Sequence, residues 1–296
     1  MFLVTGATGG LGRRVVKTLL RRQSPVRAFV RLSSRYHDLE QMGAEIFIGD
    51  LRRKASIDKA VQGTQYIISA HGANASGAGD AAQIDYQANI DLIDAAQANG
   101  VKHFVFVSVL GADRDYDDAP VFKAKREVEK YLARSGLTHT ILRPSGFASN
   151  LLPLARTFRR TGLYLLIGKQ ENRTSIVSTD DLAEIAVRSV SIAEARNRIF
   201  AVGGPEALRR DEISKIFEKL FNRSGMLINV PLEVFDGARA LLRLFNPSLG
   251  RDLGTLRTLL ANEYTCNSRE VQQVFGMDLE SLHHFLRRNL STLEAI

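Results

Sequence analysis

The stretch Phe2–Leu20, FLVTGATGGLGRRVVKTLL, constrains the fold more than any other part of the chain. Phe2 to Thr5 are apolar or β-branched and spell a short buried strand, and Gly6, Gly9 and Gly12 follow at three-residue spacing. Leu11, Val15, Val16, Leu19 and Leu20 then recur at helical spacing, with Arg13, Arg14, Lys17 and Arg21 between them, so a helix begins within the glycines. A strand that ends in a glycine turn and opens a helix offers backbone N–H groups and the positive end of a helix dipole to an anion. Gly6 lets the chain leave the strand tightly, Gly9 admits a pyrophosphate to the backbone, and Gly12 lets the helix pack close to the sheet. The spacing is G-x-x-G-x-x-G rather than the common G-x-G-x-x-G, but its strand, turn and helix supply the context which that fingerprint requires. Gly6, Thr8, Gly9, Gly10, Leu11 and Gly12 are therefore expected to cradle a dinucleotide. A plain flexible loop is the alternative, and it leaves the helix register behind the glycines unexplained.

Pro25 to Val30 reads as a second strand, ending in Arg31-Leu32-Ser33-Ser34-Arg35. At this place an acid would bond the ribose hydroxyls of NAD, whereas an arginine accommodates the 2′-phosphate of NADP. The turn carries cations and hydroxyls and no carboxylate, so Arg31 and Arg35 favour NADP(H) over NAD(H); a basic surface turn is the alternative. Ala44 to Ile48 is a third strand, ended by Gly49-Asp50-Leu51. Asp50, with Leu51 beside it, either meets the adenine side of the cofactor or caps the helix that begins near Lys54. Gln65 to Ala70 is a fourth strand and runs into His71 and a small-residue loop over 72–79. Such loops bind ligands at the carboxyl ends of open α/β sheets, which makes Ala70 and His71 candidate neighbours of a nicotinamide, although a lone histidine is more often structural.

An amphipathic helix is expected over Ile84–Asn99, a continuous apolar strand over His103–Val109 with Ser108 near its end, and a helix over Val121–Ser135. A sixth strand, Thr138–Leu142, ends at the turn Arg143–Phe147. This alternation predicts an α/β fold, a doubly wound parallel Rossmann sheet over residues 1–150. Beyond it, 151–296 reads as a smaller, mainly helical C-terminal substrate lobe interleaved with the sheet. Its expected elements are short strands at Thr174–Val177 and Arg198–Val202, a helix over Thr179–Ala193 with acceptors at Thr179, Asp180 and Asp181, a capped helix over Asp211–Phe221, and helical segments over Val234–Ala261 and Ser268–Asn289.

With 296 residues, 45% hydrophobic and 24% charged, the chain can bury a full α/β core and is neither fibrous nor disordered. Its single cysteine, Cys266, excludes an intrachain disulfide and an all-cysteine metal site and fits a reducing compartment. The first strand begins at residue 2, leaving no room for a signal peptide, and no run of 18 apolar residues occurs, so a cytoplasmic protein is expected. The net charge of +8 is scattered, without a helix-turn-helix, zinc-finger or aromatic-rich basic pattern, so no nucleic acid is expected as a partner. The histidines show no ligand spacing with acids or with Cys266, and no metal site is expected.

VTGATGGLG, the segment AAQANGVKHFV over 95–105 and SGLTHTILRPSGF over 135–147 resemble, in order and spacing, the NmrA-like group of atypical short-chain dehydrogenase/reductases. The resemblance covers about residues 1 to 205. Within the group the chain is similar to cofactor-binding proteins that assist photosystem assembly and to an accessory subunit of respiratory complex I. The resemblance implies that Lys125 holds the nicotinamide ribose, that Ser108 orients a carbonyl, and that Pro144 and Phe147 lie at the cofactor. Active members of the wider superfamily place a proton-donating tyrosine four residues before that lysine; here the position is Val121. Tyr116 and Tyr86 lack the spacing to replace it.

Two functions follow. One is an NADPH-dependent reductase of a small carbonyl, enone or quinone, with Lys125 and Ser108 as catalytic residues. The other is a non-catalytic NADP(H)-binding sensor or assembly protein that acts through a protein partner. Residues 151–170 combine leucines with Arg156, Arg159, Arg160 and Lys169 and contain no acid, and 239–260 repeat the mix. Such segments can dock a partner or make peripheral membrane contact; ordinary lobe helices with arginines facing water are the alternative. The oligomeric state is left open.

Overall fold

The computed structural model describes residues 1–72 and 81–289. Strand and helix alternate as β1 (Phe2–Thr5), α1 (Gly10–Arg21), β2 (Val26–Val30), α2 (His37–Gln41), β3 (Glu45–Ile48), α3 (Lys54–Val61) and β4 (Tyr66–Ser69). A π-helical turn, Ala81–Gln87, then runs into α4 (Ala88–Ala98), followed by β5 (His103–Val107), α5 (Pro120–Arg134) and β6 (His139–Pro144). The second half contains α6 (Leu152–Thr161), β7 (Leu163–Ile167), β8 (Arg173–Thr174), α7 (Thr179–Arg188), β9 (Arg198–Val202), β10 (Leu208–Arg209), α8 (Arg210–Phe221) and β11 (Met226–Val230). It ends with α9 (Leu232–Phe245), α10 (Pro247–Ala261), α11 (Arg269–Phe275) and α12 (Leu282–Arg288).

Seven strands form one parallel sheet in the order β3-β2-β1-β4-β5-β6-β9. Its strands are apolar on both sides because both faces are covered. On one face Val15, Val16 and Leu19 of α1 pack with Leu182, Ile185 and Ala186 of α7 and with Phe275. On the other, Ile57, Leu92, Ile93, Val128 and Leu132 close over Leu3, Ile67, Phe104 and Phe106. Each fully buried leucine or isoleucine contributes about 1.5–3 kcal/mol. The doubly wound Rossmann expectation holds, with a helical C-terminal region beside it.

Several local expectations are corrected. The helix expected from Ile84 is π-helical until Gln87, because side chains take its backbone carbonyls: His71 Nε2 bonds to Ile84 O at 3.1 Å and Asn89 Nδ2 donates to Asp85 O at 2.9 Å. Strand β6 continues through Arg143 and Pro144, where Pro144 pairs with Val202 and its carbonyl accepts from Leu110 N at 2.9 Å, so the missing N–H at the strand end costs nothing. Ser178, not residues 179–181, caps α7 by accepting from Asp181 N. Strand β9 joins the main sheet from the second half of the chain, while β7 and β11 form a separate parallel pair that local pattern did not reveal. The small-residue loop expected over 72–79 lies, Gly72 apart, outside the described residues.

The sheet order reverses direction between β1 and β4, and this is where the glycine turn sits. Gly6 has φ +68°, and a Cβ there would lie 2.6 Å from Ala70 O at the end of β4. A Cβ on Gly12 would overlap the Gly6 carbonyl. Glycine at these positions is thus a packing requirement as well as a conformational one. Gly6→Ala and Gly12→Ala should each lose about 1–3 kcal/mol in urea unfolding. Gly237→Ala, in α9 with open space around it, should instead gain up to about 1 kcal/mol.

Candidate functional site

Helix α1 opens without a side-chain cap and without an acid in its first turn, and its N-cap Gly9 is extended at φ −76° and ψ 171°. Gly9 N donates to Gly6 O at 2.9 Å and Arg13 N to Gly9 O at 3.0 Å. The amides of Gly10, Leu11 and Gly12 lie between these two bonds at the positive dipole end, with half-buried Thr8 in the turn. Ser149 rims the cradle, its Oγ 3.3 Å from where a Gly10 Cβ would stand. It is carried by the turn after Pro144. That turn is fixed on α7's leading strand segment by Ala148 N to Val177 O at 2.9 Å and Val177 N to Gly146 O at 3.0 Å, with Phe147 bridged to Val177.

At the end of β2, Arg31 and Arg35 are exposed, and neither guanidinium bonds to another group among the described residues. A nearby carboxylate that the sequence reading did not weigh is Asp38 on α2. It is ion-paired to Arg13, lies 3.8 Å from Lys17, and is held below the usual carboxylate range by Arg13, whose Nη2 also donates to Arg35 O at 2.5 Å. At the end of β3, Asp50 caps no helix: Arg53 occupies the N-cap of α3. Asp50 Oδ1 accepts from Arg52 N at 3.0 Å, and its pairing with the Arg52 guanidinium lowers its pKa. Leu51 beside it is half-buried.

Ser108 and Lys125 meet at the carboxyl end of β5. Lys125 Nζ donates to Val107 O at 3.0 Å, lies 3.5 Å from Asp85 Oδ1, and stands 5.1 Å from the centre of the Phe106 ring. Ser108 is 4% exposed and its Oγ has no hydrogen-bond partner among the described residues. Asp85, fully buried on the π-helical turn, is a site residue that sequence reasoning missed; it resembled one more helical acid beside a run of apolar residues. Val121 offers no proton, and its backbone N–H reaches Thr255 Oγ1 on α10 at 3.4 Å. Tyr116 Oη accepts from Arg114 at 3.0 Å and its ring packs edge-on against Phe122, away from any bond to Lys125 or Ser108.

The His71 ring is engaged inside the protein. Its Nε2 faces a carbonyl, Ile84 O, which can only accept, so Nε2 carries the proton and Nδ1 accepts from Thr5 Oγ1 at 2.7 Å. Ser69 Oγ, 3.3 Å from Nδ1, donates to Asn89 Oδ1 at 2.6 Å. Burial, with Lys125 nearby, pushes the His71 pKa down to about 3, so the ring is neutral. The side chain pins β1, β4 and the π-helical turn together, while the Ala70–His71 backbone abuts Gly6.

Residues 6–192 match the family model described as NAD(P)H-binding. The chain belongs to the NAD(P)H-binding family. Among curated relatives, the Photosystem II assembly factor Ycf39 of Trieres chinensis is 32% identical over 230 residues, 78% of this chain and 72% of that one. An NAD(P)H azoreductase of Xenophilus azovorans is 28% identical over 298 residues, the whole of both chains. The crystal structure of an NADPH-dependent quinone oxidoreductase from Escherichia coli complexed with NADPH superposes with a TM-score of 0.75 at 24% identity, over 99% of this chain and 100% of that one, and so shares the fold. The family assignment agrees with the resemblance carried by the glycine turn and the SGLTHTILRPSGF segment.

A histidine whose folded pKa lies below its unfolded value of about 6.5 binds fewer protons in the native state, so stability falls as pH drops from about 6.5 toward 3. His103, pushed down to about 4 by burial, acts in the same direction, whereas Asp181, raised to about 6, opposes it between its unfolded value and pH 6. His71→Gln isolates the first contribution. Its unfolding free energy should be lower at pH 7 and should fall less steeply between pH 6.5 and 4, by up to one proton, about 1.4 kcal/mol per pH unit. An unchanged slope would show that the ring is not held neutral.

Proposed function

We propose that this NAD(P)H-binding protein is an NADPH-dependent reductase of a small acceptor such as a quinone, an enone, a carbonyl or an azo compound. The observation that carries the reading is the placement of Ser108 and Lys125, both buried at the carboxyl end of β5, with no hydrogen-bond partner for the Ser108 hydroxyl among the described residues and a lysine held by Val107 O and Asp85. The residues fit the cofactor: glycine at 6 and 12 lets the turn press on the end of β4 and the helix sit on the turn, and α1 opens with uncapped amides. Gly6, Thr8, Gly9, Gly10, Leu11 and Gly12 hold the pyrophosphate, Lys125 the nicotinamide ribose, and Ala70, His71, Leu51, Asp50, Pro144 and Phe147 border the site. When bound, NADPH supplies a hydride. Ser108 Oγ binds the acceptor oxygen or nitrogen, and Lys125 or solvent returns the proton. An acceptor whose reduced form is a stabilised anion, as with a quinone, needs less acid catalysis than a ketone, which suits a chain with Val121 in place of tyrosine. The azoreductase relative supports this acceptor class.

The preference for NADPH rests on Arg31 and Arg35, which have unengaged guanidinium groups, and on Asp38, whose charge is already balanced by Arg13 and Lys17. Arg31→Ala/Arg35→Ala should weaken NADPH about tenfold or more and leave NADH binding within about twofold, as read by nicotinamide fluorescence. Equal losses for both cofactors would dismiss the phosphate contact. Lys125→Ala should abolish NADPH oxidation with menadione, and unchanged turnover would remove it from the mechanism.

A second reading, a binding protein that works through a partner or a membrane surface, is favoured by one helix. Helix α6 is ordinary, burying Ala155 and Phe158 and exposing Arg159 and Arg160. Helix α9 is inverted: Leu244 and Phe245 are 78% and 81% exposed, with Val234, Leu241 and Leu242 on the same side, while Arg239 is buried. Arg239 Nε donates to Gly250 O at 2.7 Å and its Nη2 to Asp118 at 2.8 Å, which ties α9 to α10 and to the loop before α5. The relatives named Photosystem II assembly factor support a role of this kind. Among the described residues no helix is long and apolar enough to cross a membrane. Leu244→Ser/Phe245→Ser should leave stability within about 0.5 kcal/mol and NADPH affinity unchanged. A clear loss of either would show that the tip serves the fold and would dismiss docking.

A further inference from the structure

We infer that Asp85 is a positioning residue that holds Lys125 for the cofactor through the π-helical turn; the inference rests on the NADPH reading above. An ammonium has three N–H donors. One Lys125 donor goes to Val107 O at 3.0 Å, and Asp85 Oδ1 balances the ammonium from 3.5 Å as an ion pair. The Phe106 ring covers another side at 5.1 Å. The donors not given to Val107 O are available to a ligand hydroxyl, at the strand end that also carries Ser108, whose Oγ has no hydrogen-bond partner among the described residues.

A buried pair of this kind is a poor source of stability, because removing both charges from water costs about as much as their attraction returns. The side chains of Lys125 and Asp85 are 9% and 0% exposed, so that desolvation is nearly complete. The protein also builds special backbone to place the carboxylate. The π-helical turn is kept by His71 bonding to Ile84 O and Asn89 donating to Asp85 O, and Gly72 leaves room opposite, since a Cβ there would lie 3.2 Å from Asp85 Oδ1. π-Helical turns concentrate at functional sites. Asp85 thus restricts the ammonium to the position set by Val107 O, and without it the lysine stem could swing between rotamers.

A double-mutant cycle on NADPH affinity tests this. Dissociation constants are measured by nicotinamide fluorescence for the full chain, Asp85→Asn, Lys125→Met and the double variant. Asp85→Asn should weaken NADPH about tenfold when Lys125 is present and change it by less than about twofold in the Lys125→Met background. Asp85→Glu, which restores the carboxylate, should recover part of the loss. Equal losses in both backgrounds, or no loss in either, overturn the inference. If Asp85→Asn alone fails to fold, Asp85→Glu takes its place in the cycle: it should weaken NADPH with Lys125 present and change it by less than about twofold beside Lys125→Met, and any other pattern overturns the inference. Wild-type protein that fails to bind NADPH would instead overturn the cofactor reading itself.

Discussion

The contact on which the site depends is the one between the first turn of α1 and the carbonyl of Gly6. With no side chain at Gly12, the helix sits directly on the turn that leaves β1, and with none at Gly6 that turn presses against the end of β4. Strands β1 and β4 are the pair at which the sheet order changes direction. An open α/β sheet has its crevice there, and the uncapped amides of α1 are delivered into it. Moving the helix outward by the width of a methyl group would shift those amides and loosen the packing of Val15, Val16 and Leu19 against α7.

Around that contact the site is assembled from groups whose partners are distant in sequence. His71 joins Thr5, Ser69 and the carbonyl of Ile84; Arg13 joins Asp38 and the Arg35 carbonyl; Lys125 joins Asp85 and Val107. The His71 and Lys125 groups join a strand end to the π-helical turn, and the Arg13 group joins α1 to α2 and the turn before it. Neutral His71 is compatible with Lys125 nearby, because burial, and after it the repulsion of that ammonium, hold the ring's pKa down at about 3.

What was legible in the sequence follows this division between local and distant causes. Glycine spacing, apolar strands and helix periodicity are local, and they placed β1 to β6 and the helices α1, α3, α4 and α5, though not the short α2, which is enough for the Rossmann sheet. Strand β9 was visible as a strand, but its place beside β6 depends on pairing across the chain. The β7–β11 pair was invisible because each strand is specified only by the other. The π-helical register of Ala81–Gln87 could not be read from AAQIDYQ, since its cause lies in His71 and in Asn89, whose side chains capture carbonyls that an α-helix would keep. Asp85 was overlooked for that reason, and Asp38 because its meaning comes from Arg13 rather than from its neighbours.

Val121 and Lys125 on α5 are held by separate contacts. Lys125 is anchored by Val107 O, by Asp85 and by the Phe106 ring, and none of these contacts involves position 121. Position 121 is instead bound up with the lobe, where its N–H meets Thr255 and the preceding Asp118 meets Arg239. The side chain at 121 can therefore change without disturbing the lysine. A chain built this way can serve as a reductase of acceptors that need little acid catalysis, and the same grip is available to a binding protein whose outward-facing α9 makes the contacts. The two proposed uses share the cradle and differ in whether an acceptor meets Ser108 or a partner meets α9.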